Sequence, residues 1–146
     1  MRTREAAKSA LFTLISNAYS WNNTPSRRLK LWPDVPKEQR PAFFQFEGGK
    51  TNYKSTIGPL PIRTLEVRLF IYLDSSDHTI PAAILLDAIM DAIVGALAPA
   101  GADALKGKQT LGGTCDWCRI DGDTTDDPGD IDDDGLIIVP IRITLP

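Results

Sequence analysis

The chain has 146 residues, 42% of them hydrophobic and 24% charged, a size and composition that support one domain with its own core and exclude disordered, collagenous and disulfide-scaffold classes. The net charge of −3 at pH 7 hides an asymmetry: nine Asp face one Arg between Asp116 and Asp134, while eleven basic residues face four acidic ones up to Arg63. Separated patches of opposite sign suit head-to-tail contact between copies, since they steer association.

A first helix is predicted over about Thr3 to Tyr19, because Ala7, Leu11, Leu14, Ile15 and Ala18 fall on one helical face. Thr13, Ser16 and Asn17 interrupt its apolar run and Glu5 and Lys8 break its basic start, so it reads as an amphipathic helix rather than a leader. A connector with Pro25, Pro33, Pro36 and Pro41 follows, and its Trp21 and Trp32 are expected to pin it to the body. Pro41 to Glu47 reads as a short strand. Thr64 to Leu73 is the cleanest strand, with Leu65, Val67, Leu69, Ile71 and Leu73 alternating with Glu66, Arg68, Phe70 and Tyr72. The basic stretch EGGKTNYKSTIGPLP between them is expected to be one long contact loop.

Asp74 to His78 reads as a turn, and Pro81 is expected to open a second helix that Pro99 and Gly101 stop. That stretch is nearly long enough to span a bilayer, but Asp87 and Asp91 near its centre each cost about 2.5–3.5 kcal/mol there, so a buried helix is expected. Being apolar almost all round, it needs cover from the sheet or from neighbouring subunits. Two more strands are predicted, about Gln109 to Asp121 and Leu136 to Leu145, with Pro140 arguing for an edge or a bulge in the second. The order α-β-β-α-β-β implies an α+β fold, a mainly antiparallel sheet of four or slightly more strands packed with two helices. It occupies a single domain over 1–146, with projecting loops at about 47–61 and 121–135.

Several stretches imitate chemical motifs. Cys115 and Cys118 form a Cys-x-x-Cys, but zinc takes four ligands and the rest of the chain adds one distant histidine, His78. If Thr114 to Ile120 is a strand, thiols three apart point to opposite faces with Cα atoms about 10 Å apart, beyond the roughly 7 Å reach of a disulfide. One buried and one incidental thiol is the expectation; without a secreted disulfide framework, a cytoplasmic setting is expected. Asp130, Asp132, Asp134 and Gly135 match four positions of a calcium loop, yet Ile141 stands where the closing carboxylate belongs. Those three Asp are therefore weak metal candidates, and no cofactor is expected. EGGKT lacks the earlier glycine of a phosphate loop, Phe44 occupying its place. His78 reads as a surface turn residue, and no acid, base and nucleophile assemble, so no enzyme is expected. Arg27, Arg28 and Lys30 beside Trp32 fit protein contact better than nucleic acid.

SRRLKLWPDVPKEQRPAFFQFEGG from Ser26, RTLEVRLFIYLD from Arg63, the apolar helix from Pro81 to Leu97, QTLGGTCDWCRIDGD from Gln109 and GLIIVPIRITL from Gly135 together resemble the tail terminator (tail completion) proteins of long-tailed bacteriophages. The likeness covers nearly the whole chain. It implies a virion subunit, assembled in the host cytoplasm, that forms a hexameric ring on the head-proximal end of the tail tube. Its partners would be further copies of itself, the tail tube protein and a head-completion or connector protein, with no membrane involved. On this resemblance Arg27 and Arg28, and Lys50 and Lys54 in the Gly48–Pro59 loop, become subunit or tube contacts. Asp132 and Asp133 would lie on a rim or lumen, where an acidic lining lets DNA pass without specific binding, since DNA is held by Lys and Arg on its phosphates. The alternatives are a small calcium-type ion-binding module using Asp130, Asp132 and Asp134, and a small enzyme whose site is not visible.

Overall fold

Alternation in two long strands sets the architecture. In the computed structural model, which describes residues 2–146, Ile62–Asp74 (β3) and Asp134–Leu145 (β6) pair antiparallel from Arg63↔Leu145 to Asp74↔Asp134. Their odd-numbered residues from Leu65 to Leu73 and from Ile137 to Leu145 are all buried on one face. Against that face pack helices Arg4–Ser16 (α1), through Ala7, Leu11 and Ile15, and Ala83–Leu97 (α2), through Leu86, Ile89, Ile93 and Leu97. Burying a residue of this type stabilises the fold by about 1.5–3 kcal/mol, so the shared layer is the main source of cohesion.

The α+β class and the coarse element order are borne out. The sheet is larger than four strands: Ala42–Phe46 (β1) and Thr51–Lys54 (β2) both pair with β3, while Trp117–Ile120 (β4) and Thr125–Asp127 (β5) both pair with β6. β2 lies inside the segment expected to be one long loop, and β5 inside the acidic one. Both short strands are polar and carry no apolar alternation; they exist because β3 and β6 are longer than β1 and β4 and leave backbone groups to be paired.

α1 is shorter than expected. The Thr3 hydroxyl caps it by accepting from Ala6 N, and it ends at Ser16, leaving Ala18 outside the helix. Trp21 then turns back, donating through Nε1 to the Ile15 carbonyl and packing on Phe43, so it pins the connector as expected. Trp32 remains exposed instead. Pro81 sits just outside α2, its carbonyl accepting from Ile84 N in the entering turn. No helix is long and apolar enough to cross a membrane among the described residues.

The predicted strand over Gln109 to Asp121 is corrected. Leu111, Gly112 and Gly113 have positive φ in succession, so the chain folds back and Gln109 bridges Cys118 across it, and β4 begins only at Trp117. Pro140 is corrected too: β6 is a central strand. The Pro140 carbonyl accepts from Asp121 N on the β4–β5 side, where the partner strand breaks between Ile120 and Thr125. Its missing donor therefore falls at an interruption in the neighbour rather than in a continuous ladder.

On the opposite face the connector covers one end of the sheet with a second cluster of Val35, Ala42, Phe44 and Tyr72. The Tyr72 hydroxyl donates to the Lys30 carbonyl, and burial pushes it above its ordinary range.

Candidate functional site

The β3–β6 ladder carries opposite charge at its two ends. At the end where Arg63 faces Leu145, β2 presents Lys54, and Lys50 precedes it; Arg4 donates to the Thr51 hydroxyl and Arg63 to the Arg2 carbonyl. At the other end Asp74 faces Asp134, with Asp126, Asp127, Asp130, Asp132 and Asp133 gathered in the segment that leads into β6. The strands are 12 and 13 residues long, so the poles lie roughly 40 Å apart at about 3.3 Å per residue.

The acidic segment is built, not loose. Asp133 N donates to the Gly129 carbonyl and Ser75 N to the Asp133 carbonyl, while Asp133 itself takes φ +63°. His78 Nε2 lies 2.6 Å from Asp133 Oδ1, which raises the imidazole pKa, through that hydrogen bond first and the carboxylate charge second. Gly135 has no room for a side chain: a Cβ there would come within 2.7 Å of Leu73 Cβ and 3.0 Å of the Asp127 and Pro128 carbonyls. Arg40 anchors the segment from the connector. Its side chain is 4% exposed, with Nη1 2.5 Å from Asp134 Oδ1 and Nη2 donating to the Trp32 and Val35 carbonyls.

These contacts bear directly on the candidate metal residues. Asp134 is spent on Arg40, Asp132 Oδ1 accepts from Asp134 N, and Asp130 stands exposed. The three carboxylates do not converge, and no group of three His, Cys, Asp or Glu side chains able to hold a metal occurs among the described residues. Asp126, Asp127, Asp130 and Asp132 take part in no ion pair among the described residues.

The proposed contact residues divide. Lys50, Lys54, Arg28 and Asp132 are exposed. Arg27 is engaged within the chain: Nε and Nη2 donate to Glu47, and Nη1 and Nη2 donate to Glu5. The bonds to Glu47 and Glu5 raise the guanidinium pKa further above its already high value, and Arg27 lowers that of Glu5. Arg27 thus ties the connector to α1 and to the end of β1. Asp133 is likewise engaged, by His78.

The expectation of one buried and one incidental thiol is corrected: Cys115 and Cys118 are both buried, and both are free. Strand parity applies only inside a strand, and Cys115 precedes β4, so both thiols enter the same core. Burial pushes Cys115 up to about 11 and Cys118 further, the opposite of an activated thiolate.

Two features were not singled out in the sequence. Arg40 carries no local signal in a Pro-rich connector. The second is an apolar groove of about 330 Å³ beside the outer edge of β4, lined by Val94, Leu97, Pro99, Trp117 and Ile120. No protein-family model matches the chain, and no curated protein matches it either.

Proposed function

We propose that this chain is a non-enzymatic virion structural protein, a tail-terminator subunit whose copies close into a ring on the head-proximal end of a phage tail tube. The ring ends tube polymerisation and offers its other surface to head-completion proteins, while DNA passes through without specific binding. The resemblance of the segment order supplies the family and the hexameric stoichiometry. The observation that carries the assembly reading is the charge polarity: Lys50, Lys54, Arg4 and Arg63 at one end of a single ladder, and the Asp126–Asp134 segment at the other. A protomer with unlike ends makes heterologous contacts, which close into rings when the rotation permits. Attraction between such ends also speeds encounter and weakens with salt.

The test is light-scattering mass with negative-stain imaging of the purified protein, alone and mixed with tail tubes, at low and high salt. Rings that loosen as salt rises, or caps on tube ends, are expected. A strictly monomeric species under all of these conditions overturns the reading. Calcium titration separates it from an ion-binding module, which requires binding heat and a thermal shift.

A further inference from the structure

We infer that the subunit contact is a knob and a groove on opposite ends of the protomer: Ile131, at the tip of the acidic segment of one copy, seats in the apolar groove beside β4 of the next. The inference deepens the ring reading and rests on it.

Ile131 is fully exposed, at 101%, and stands between Asp130 and Asp132. An aliphatic side chain there gains nothing in the monomer. It is also held in place, because the Asp133–Gly129 and Ser75–Asp133 backbone bonds and the His78 contact close the base of the tip. A pre-formed tip spends little ordering entropy on docking.

The groove has the matching character. Val94, Leu97, Pro99 and Ile120 supply apolar walls, and Val94 is 55% exposed on a helix whose other face is core. Trp117 forms a further wall, with the Arg119 guanidinium 4.1 Å from its ring centre and the Lys108 ammonium 5.5 Å from it. Arg119 is partly satisfied within the chain, donating to the Thr144 hydroxyl and lying 3.7 Å from the Asp121 carboxylate. The exposed Lys108, in no ion pair among the described residues, therefore supplies the free positive charge at the rim of an apolar floor. Asp130-Ile131-Asp132 complements it in both respects. Ile57, just as exposed, follows Lys54 in a basic segment and meets that rim with like charge.

A protomer cannot satisfy its own groove. The knob enters β6 at Asp134, whereas Trp117 pairs with Thr144 at the far end of β6, about 33 Å away at about 3.3 Å per residue. Every copy thus offers one free knob and one free groove, the arrangement from which rings are built.

The experiment uses two full-length variants at exposed positions, Ile131→Asp, which keeps the groove, and Val94→Glu, which keeps the knob. Sedimentation velocity follows their assembly, and thermal melts check that each stays folded. Each variant alone is expected to associate at least tenfold more weakly than the wild type, as central contacts of an interface do. A 1:1 mixture is expected to give a dimer that grows no further, since one intact knob meets one intact groove. Variants that assemble like the wild type, or a mixture that stays monomeric at the highest concentration tested, overturn the knob and groove while leaving the ring reading in place. A wild-type protein that is monomeric both alone and on tail tubes overturns both.

Discussion

Arg40 is the one charged residue that is buried among the described residues. Arg40→Met keeps the stem but removes the guanidinium, which strands Asp134 and frees the Trp32 and Val35 carbonyls. Removing one partner of a buried ion pair costs about 3–5 kcal/mol. Two observations favour the low end: the Asp134 side chain keeps 23% exposure, and Arg40 Nε is buried without a partner, so the native pair is not fully satisfied. About 3 kcal/mol is expected, which for a chain of this size lowers Tm by roughly 6–12 °C. Asp134→Asn leaves the guanidinium with its two carbonyls and costs about 1.5–3 kcal/mol, the range of a hydrogen bond to a charged group. The double variant should fall short of the sum by about 1 kcal/mol or more, because the two side chains act on one contact. Urea melts at one fixed protein concentration keep any gain from assembly equal across the set. An Arg40→Met variant within about 1 kcal/mol of the wild type, or a cycle additive within about 0.5 kcal/mol, refutes the claim that this pair holds the connector to the acidic segment.

Three further outcomes follow from neighbouring features. His78 is the sole histidine, and its NMR titration should lie above 6.5 in the wild type and fall back in Asp133→Asn. The folded state binds that proton more tightly than the unfolded chain, so the tie is fully present below the ordinary 6.5 and is lost as pH rises through the raised value. Cys115 and Cys118 should resist a thiol reagent at pH 8 in the native protein and both react in denaturant. The rise of Cys115 from 9.0 to about 11 alone leaves about a hundredfold less thiolate, and fast native labelling of two thiols contradicts it. Gly135→Ala forces a Cβ against the Leu73 side chain and two carbonyls, so urea melts should show a loss of about 1–3 kcal/mol; a loss under about 0.5 kcal/mol argues against the packing described.

Much of this fold is legible residue by residue because burial repeats with the period of the backbone. Leu65 to Leu73 and Ile137 to Leu145 alternate at period two, and Ala7, Leu11 and Ile15 recur at helical spacing, so each segment states locally which face it buries. Gln109 to Asp121 is misread by the same logic: apolar and polar residues there suggest a strand, but positive φ at Leu111, Gly112 and Gly113 breaks it. Of the candidate site, the sign and extent of both charged segments were legible, while Arg27 and Asp133 as internal ties, and Arg40 as an anchor, were not. Whether a charge faces solvent or a partner depends on residues far away in sequence, as with Arg40 and Asp134.

The sequence by itself determined two helices, the long alternating strands and the separation of charge along the chain, since each is a local pattern of polarity. Tertiary structure alone decided the rest. β2 and β5 form only because β3 and β6 offer backbone to pair with, and Cys115 joins Cys118 in the core only because the chain folds back before β4. The antiparallel register of β3 on β6 decided that the basic and acidic segments stand at opposite ends of one ladder, with Ile131 at one end and the groove beside Trp117 at the other.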